Sequence, residues 1–183
     1  RKGRLWVATF GRGLCVKTNF ENAEGFKSYF TTDDWLRFNR YVYEDNKGEI
    51  WVATSNGVLR FQPDQLLKDS TAFKHYSFNN SIPNSLSNPE VRYIFQDSKE
   101  RLWFATAGGG INLFTGEDEN GNGTFKVFKN KLGIANDNIM AIQEDNEGTI
   151  WVSTESGLHT FSPETNLFRF YKFSDDFSSN IYS

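Results

Sequence analysis

The sequence is poor in the residues that most often carry covalent or metal chemistry, since its 183 residues include one cysteine and two histidines. The lone Cys15 excludes a disulfide within the chain and leaves the redox compartment open. Apolar runs are short, and none approaches the ~18 residues of a membrane-spanning helix. Positive charge is not in excess, because the net charge is −3 and basic residues are scattered among acidic ones. This charge pattern argues against a nucleic-acid-binding role.

Tryptophan recurs instead at the start of one short phrase, W-x-A/S-T. The four copies begin at Trp6, Trp51, Trp103 and Trp151, and the intervals between them are 45, 52 and 48 residues. Repeats of this length are typical of solenoids, propellers and similar arrays. The chain is therefore first of all a repeat protein.

A turn precedes each complete copy of the phrase. Asp45, Asp97 and Asp145 each stand six residues before a Trp, and Gly48 and Gly148 follow the first and third of them by three residues. Asp and Asn bond their own backbone in such turns, and Gly supplies the positive φ that a short hairpin loop needs. Each unit therefore contains a hairpin.

Each unit also contains four apolar runs of strand length. In the second unit these are residues 41–44, 50–54, 58–61 and 73–78, and they are rich in β-branched and aromatic side chains. No stretch has a sustained helical period. The strand that carries the Trp is apolar on both faces, which predicts cover from both sides and favours core packing of the indoles over a sugar-stacking role. The last strand alternates with charge, so it is expected at the sheet edge.

The pattern predicts an all-β fold of about four four-stranded antiparallel β-propeller blades, at residues 1–38, 39–86, 87–135 and 136–183. The first copy lacks its innermost strand and Asp. We therefore expect one domain over residues 1–183 that is a partial propeller, although four blades can also close when their terminal strands complement each other.

Beyond the Trp phrase, the repeats resemble the two-component regulator propeller family. The resemblance rests on residues 44–58, 96–111 and 144–158, and on the linking phrases at 84–88 and 133–138. Glu100 departs from the pattern, because it occupies the position of the turn glycine.

This resemblance implies a segment of a larger, seven-bladed propeller in the periplasmic sensor region of a hybrid two-component histidine kinase of the Bacteroides type. It further implies an oligosaccharide ligand, signalling through the remaining blades and an immunoglobulin-like domain, and a homodimer formed through the parent protein. Phosphotransfer would belong to the parent, and for this segment we expect no catalysis, no cofactor, no metal and no nucleic acid.

Loops that lead into the innermost strands hold the candidate ligand-binding residues, because a rigid scaffold usually presents recognition residues on such loops. They are Trp35, Arg37, Arg40, Asn88, Arg92 and Asn138. Guanidinium and amide groups suit sugar hydroxyls and uronates. Each residue also has a plainer interpretation, Trp35 as a half-buried loop anchor and the others as ordinary loop and turn residues.

Two chemical alternatives are weaker. Asp118 opens a phrase that fits the start of a calcium loop, but Lys129 stands where a bidentate Glu is required, so a hairpin loop is the better interpretation. His75 and His159 lie in predicted strands, and the carboxylate pairs at 33–34 and 175–176 are adjacent rather than spaced across a cleft. A polysaccharide-active propeller enzyme and a protein-interaction scaffold remain the alternatives to a sensor.

Overall fold

Four antiparallel sheets and one short helix make up the computed structural model, which describes residues 3–21, 25–32, 34–129, 134 and 136–171. In chain order the strands are β1 (Leu5–Ala8), β2 (Leu14–Lys17) and β3 (Lys27–Tyr29); β4 (Asn39–Glu44), β5 (Ile50–Thr54), β6 (Gly57–Phe61) and β7 (Lys74–Tyr76); β8 (Val91–Gln96), β9 (Leu102–Thr106), β10 (Ile111–Glu117) and β11 (Gly123–Phe128); and β12 (Ile139–Glu144), β13 (Ile150–Thr154), β14 (Gly157–Ser162) and β15 (Leu167–Phe170).

Each sheet is a meander in which strands pair in chain order, three strands in the first sheet and four in each of the others. The first strands of successive sheets lie side by side, since β4 contacts β8 and β8 contacts β12. The last strands β7, β11 and β15 form sheet edges. The predicted all-β fold and strand order are confirmed. Each sheet lies within one of the four predicted blade segments, whose limits stay predictions.

One element differs from the sequence prediction. A helix, α1 (Pro63–Lys68), lies between β6 and β7, where we expected only a long loop. Pro63 is at its first turn, where a missing N–H costs nothing, and Leu66 is fully buried. Six residues are too few to display a helical period, which is why the pattern gave no sign of the helix.

The indoles of Trp51 and Trp103 lie between neighbouring sheets. Trp51 and Trp103 are 1% and 0% exposed, and each contacts a phenylalanine ring of the following sheet. These contacts join Trp51 to Phe104 and Phe114 and Trp103 to Phe161, at ring-centroid distances of 5.1–5.6 Å. All five residues of β5 and of β9 are buried, as predicted for a sheet covered on both faces.

A hydrogen bond not foreseen from the sequence holds three of the four indoles. The Nε1–H of Trp51, Trp103 and Trp151 donates to the carboxylate of the Asp six residues earlier, at 2.9, 2.8 and 2.7 Å. In Asp45 the other carboxylate oxygen accepts the backbone N–H groups of Lys47 and Glu49, both at 2.9 Å. One carboxylate therefore closes the turn and fixes the indole.

The turn position three residues after each Asp has a left-handed backbone. Gly48 adopts a φ of +76°, and Glu100, which replaces glycine in the third sheet, adopts +62°. A side chain is thus accommodated there at the cost of a left-handed backbone.

A second glycine joins neighbouring sheets. The N–H of Gly57 donates to the carbonyl of Pro89, two residues before β8, and Gly13 and Gly110 make the same bond to Arg37 and Asp137. A Cβ on Gly57 would lie 2.1 Å from the carbonyl oxygen of Tyr76, and the φ of Gly57 is +96°. The Thr hydroxyl of each Trp phrase donates to the carbonyl of this glycine in all four sheets.

We predict that Asp45→Ala lowers the free energy of unfolding by about 3 kcal/mol, because it removes a charged acceptor and leaves a buried indole N–H unpaired. Urea denaturation measures the loss. Asp118→Ala is the matched control, since Asp118 closes the same kind of turn without an indole partner, and its loss should be smaller. A double-mutant cycle with Trp51→Phe isolates the Asp–indole bond, and equal losses in both aspartate variants would contradict its role.

We also predict that Gly57→Ala costs more than about 3 kcal/mol, because the methyl group meets backbone as well as an unfavourable φ. Gly48→Ala serves as the control, since it shares the positive φ and has open space around it, and it should cost about 1 kcal/mol. Similar unfolding midpoints for the two variants would show that the close approach at Gly57 is unimportant.

Candidate functional site

The strands β4, β8 and β12 each begin with a β-bulge, which turns one side chain in a new direction. The pairing register shifts between residues 39 and 41, 91 and 93, and 139 and 141, so Arg40, Arg92 and Met140 stand opposite no partner residue. Each lies eleven residues before the Trp of its own sheet. A bulged residue leaves the ladder and turns its side chain to a new direction, which is a frequent device beside functional sites.

These three residues form, with Phe10 and Glu90, a continuous chain of contacts that we call the inner rim. The Arg40 guanidinium lies over the Phe10 ring at 5.0 Å, and its Nη2 is 2.8 Å from Glu90 Oε1. Arg92 Nε lies 3.4 Å from the same oxygen, and Arg92 Nη1 is 3.1 Å from Met140 Sδ. The inner rim thus crosses all four sheets.

The inner rim is accessible. Phe10 and Met140 are 64% and 48% exposed, and the side chains of Arg40, Glu90 and Arg92 are 31%, 33% and 25% exposed. Exposed apolar groups next to paired charges offer both a surface for stacking and hydrogen-bond donors to a ligand.

The structure places the six candidate residues in different environments. It brings Arg40 and Arg92 together, while Trp35 and Arg37 serve the loop before β4. The Trp35 ring is half-buried and stacks on the His75 ring at 4.3 Å. Arg37 accepts two backbone bonds from the first sheet through its carbonyl, and its guanidinium pairs with Asp34 at 3.3 Å.

Asn88 and Asn138 act in turns near the inner rim. Asn88 Oδ1 accepts the backbone N–H of Glu90 at 2.9 Å, which orients the residue that pairs with both rim arginines. The Asn138 side-chain amide donates to Glu155, and its backbone N–H donates to Asn136. Neither amide contacts a rim arginine in the hydrogen bonds of the described residues.

Sequence reasoning missed Phe10 and Met140. Met140 occupies the same position relative to Trp151 as Arg92 does to Trp103, so a repeat alignment could have indicated it. Phe10 lies four residues after Trp6, where the other copies carry Ser55, Ala107 and Glu155. The residues that these two side chains contact in neighbouring sheets depend on the pairing register of the strands. The sequence does not display that register.

A groove of about 1200 Å³ lies elsewhere, between the loop after β7 and the edge strand β11. Phe78, Ile82, Asn84, Val127 and Lys129 are among its lining residues. No residue of the inner rim lines it, so the described residues offer two separate surfaces for binding.

The first strands also carry a tyrosine pair. The rings of Tyr41 and Tyr93 lie 4.4 Å apart. Burial, and then the hydrogen bond with Tyr93, raise the pKa of Tyr41, so this hydroxyl stays protonated at neutral pH.

The phrase that opens at Asp118 forms a hairpin turn. Asp118 closes the hairpin between β10 and β11 by accepting the N–H groups of Asn120 and Asn122, as in the repeat turns. No cluster of three or more His, Cys, Asp or Glu side chains suited to a metal occurs in the part of the chain that the structure describes. Asp33, Asp175 and Asp176 lie outside the described residues.

Comparison with known proteins follows the repeats. The family described as "Two component regulator propeller" matches residues 85–108 and 133–156. A histidine kinase from Formosa agariphila is 36% identical over 98% of this chain, which spans 13% of that protein's length.

Two solved structures show the same fold. The extracellular domain described as part of a hybrid two-component system of B. thetaiotaomicron aligns with a TM-score of 0.70 at 26% identity, over 93% of this chain and 22% of that one. Virginiamycin B lyase from Staphylococcus aureus aligns with a TM-score of 0.63 at 18% identity, over 93% and 52%. The second likeness concerns the fold alone. Among the described residues, no helix has the length and apolar character needed to cross a membrane.

The Trp35–His75 stack generates a pH prediction. Burial lowers the pKa of His75 below its ordinary 6.5, and burial likewise lowers the pKa of His159. A neutral imidazole is therefore favoured in the folded state, so its stabilising contribution is complete above pH 6.5 and is lost as the pH falls through the lowered folded pKa.

We expect the melting temperature to fall as the pH is lowered from about 7.5 to about 5.5. The variant His75→Gln should show a smaller fall, and the part of the fall that is due to His159 should remain. Thermal unfolding at both pH values, with ring titration by NMR, measures this. An unchanged pH dependence in His75→Gln would contradict the assignment.

Proposed function

This chain is built from two-component regulator propeller repeats, and from that premise we propose that it is a ligand-sensing segment of an extracytoplasmic sensor region in a hybrid two-component histidine kinase. The proposed ligand is an oligosaccharide, and the proposed location is the periplasm, in a protein of the inner membrane. The segment binds and transmits, and phosphotransfer belongs to the parent protein.

The single observation that best supports binding is the inner rim. The repeated Trp and Thr, and the glycine that follows them, have structural roles, because the indole packs and bonds to Asp, the Thr hydroxyl bonds to the glycine carbonyl, and the glycine N–H bonds to the next sheet. The rim side chains lie outside those repeated contacts, although the Phe10 ring also packs on the Phe38 ring at 4.9 Å, and they are exposed and contiguous over four sheets. Phe10 supplies an aromatic face for a pyranose ring, and the rim arginines supply donors for its oxygens.

Transmission needs a ligand that prefers one arrangement of the receptor over another. The sheets are linked by backbone bonds such as that from Gly57 to Pro89, so a ligand that spans the inner rim acts on a stiff body. We propose that the remaining blades, an immunoglobulin-like domain and a homodimer of the parent carry the change onward.

An enzyme is the second candidate, because a lyase shares the fold. Glycoside hydrolysis generally uses two carboxylates that face the scissile bond. At the inner rim Glu90 pairs with two arginines, and the nearby Glu155 accepts from Asn138. Binding without turnover is therefore better supported. A protein-interaction scaffold is the third candidate, and the groove along β11 is the surface that favours it.

The test measures binding of short neutral and acidic oligosaccharides to the complete sensor region by calorimetry, with chromatography of the mixtures to detect products. We expect saturable binding, unchanged sugars, and at least about tenfold weaker binding in Phe10→Ala, through loss of an exposed stacking face. Phe20→Ala is the matched control, because Phe20 is a 57% exposed phenylalanine of the loop between β2 and β3, outside the inner rim.

Sugar cleavage would favour the enzyme. Equal binding by both phenylalanine variants would remove the inner rim from the proposal, and absence of binding to every sugar would overturn ligand sensing by this surface.

A further inference from the structure

Two cations at the inner rim share one anion. Arg40 Nη2 and Arg92 Nε lie 2.8 Å and 3.4 Å from the same oxygen of Glu90. The three side chains together carry a charge of +1. The single carboxylate balances only one of the two guanidinium groups, so this cluster has an excess of positive charge.

Most of the guanidinium donors remain available. Each guanidinium carries five N–H groups. In the described residues Arg40 uses Nη2 toward Glu90, while Arg92 uses Nε toward Glu90 and Nη1 toward Met140 Sδ, which is a weak acceptor. The remaining donors of both side chains face no protein acceptor among the described residues.

Stability alone explains this cluster poorly. The three side chains are a quarter to a third exposed, and ion pairs so close to solvent contribute little to folding. The second and third sheets are already joined by the backbone bond between Gly57 and Pro89 and by buried aromatic rings. The equivalent bulge in the fourth sheet carries the uncharged Met140, so the bulge itself does not require an arginine.

An aromatic ring completes the arrangement. Phe10 is 64% exposed and lies under the Arg40 guanidinium at 5.0 Å. A ligand that places a sugar ring on Phe10 would bring its substituents next to the free guanidinium donors. Planar guanidinium groups bind carboxylate and sulfate oxygens in pairs of parallel hydrogen bonds.

We propose that the inner rim recognises an acidic oligosaccharide, with Arg40 and Arg92 binding a carboxylate or sulfate group of the sugar and Phe10 stacking on its ring. Glu90 positions the two arginines in the free protein and competes with the ligand for them. This inference rests on the proposed sensor function and adds the chemical class of its ligand.

Trigalacturonate and its methyl ester are the matched probes, because they differ in charge and share the sugar chain. A sulfated disaccharide tests the other source of negative charge, and sodium sulfate tests whether a free anion suffices. Calorimetry on the complete sensor region measures each affinity. We expect at least one of the two acidic sugars to bind, and trigalacturonate to bind at least about tenfold tighter than its ester if the carboxylate is the group recognised.

The variants separate recognition from general electrostatics. The double variant Arg40→Gln, Arg92→Gln should bind the acidic sugar with at least about tenfold lower affinity. Glu90→Gln should strengthen its binding, because the competing carboxylate is gone, whereas a merely structural Glu90 would give no gain. Lys126→Gln is the matched charge control, since Lys126 is a cation on β11 away from the inner rim.

The outcomes separate the two proposals. Equal affinity for trigalacturonate and its ester, together with no binding of the sulfated sugar, would overturn the acidic ligand and leave an oligosaccharide sensor standing. The same would follow if Lys126→Gln weakened binding as much as the double variant. Binding of sodium sulfate as tight as that of the sugars would reduce the site to an anion site and overturn recognition of the sugar. Absence of binding by any probe would overturn the inference, and the Phe10→Ala test with neutral sugars would then decide the sensor function separately.

Discussion

The hydrogen bond between an aspartate carboxylate and the indole N–H six residues later is the constraint on which the sheet stack depends. Each carboxylate has two oxygens, and in Asp45 one closes the hairpin while the other holds Trp51. The indole is thereby fixed in the gap between sheets, where it contacts the rings of the next sheet. In Asp145 the bond to Trp151 is also the leading cause of a lowered carboxylate pKa. Local turn chemistry and packing between sheets are therefore coupled through one side chain.

That hydrogen bond recurs in every complete repeat, and the residues at the repeated positions therefore have structural roles. The Thr hydroxyl and the second glycine add the contacts that set one sheet against the next. Variation is left to the bulged residue of each first strand and to the turn after each Trp strand. At the inner rim the bulged Arg40 meets Phe10 of the turn after β1, so the geometry that fixes the frame also brings these two variable side chains onto one surface.

Much of the frame could be predicted from the sequence because its signals are local. The Asp turns, the strand order and the burial of Trp51 follow from spacing and alternation. The helix at residues 63–68 escaped prediction because one and a half turns show no period. Trp35 was recognised as outside the repeat, but its stacking partner His75 is forty residues away, and no local pattern joins them. The inner rim depends on bulges, which are properties of paired strands rather than of either strand alone.

In the proposed sensor, the position of the paired arginines would connect ligand binding to the frame. Arg40 belongs to the second sheet, while Arg92 and Glu90 belong to the third, so an anion bound by both arginines would replace a contact within the protein that already spans two sheets. The cost of separating the arginines from Glu90 is small at this exposure, whereas the sheets behind them are held by buried rings and backbone bonds. A ligand can therefore exchange the surface contact without disturbing the core. In the proposed sensor, the response would be a change in preferred spacing at the inner rim, which a stiff stack of sheets would carry to whatever packs against it.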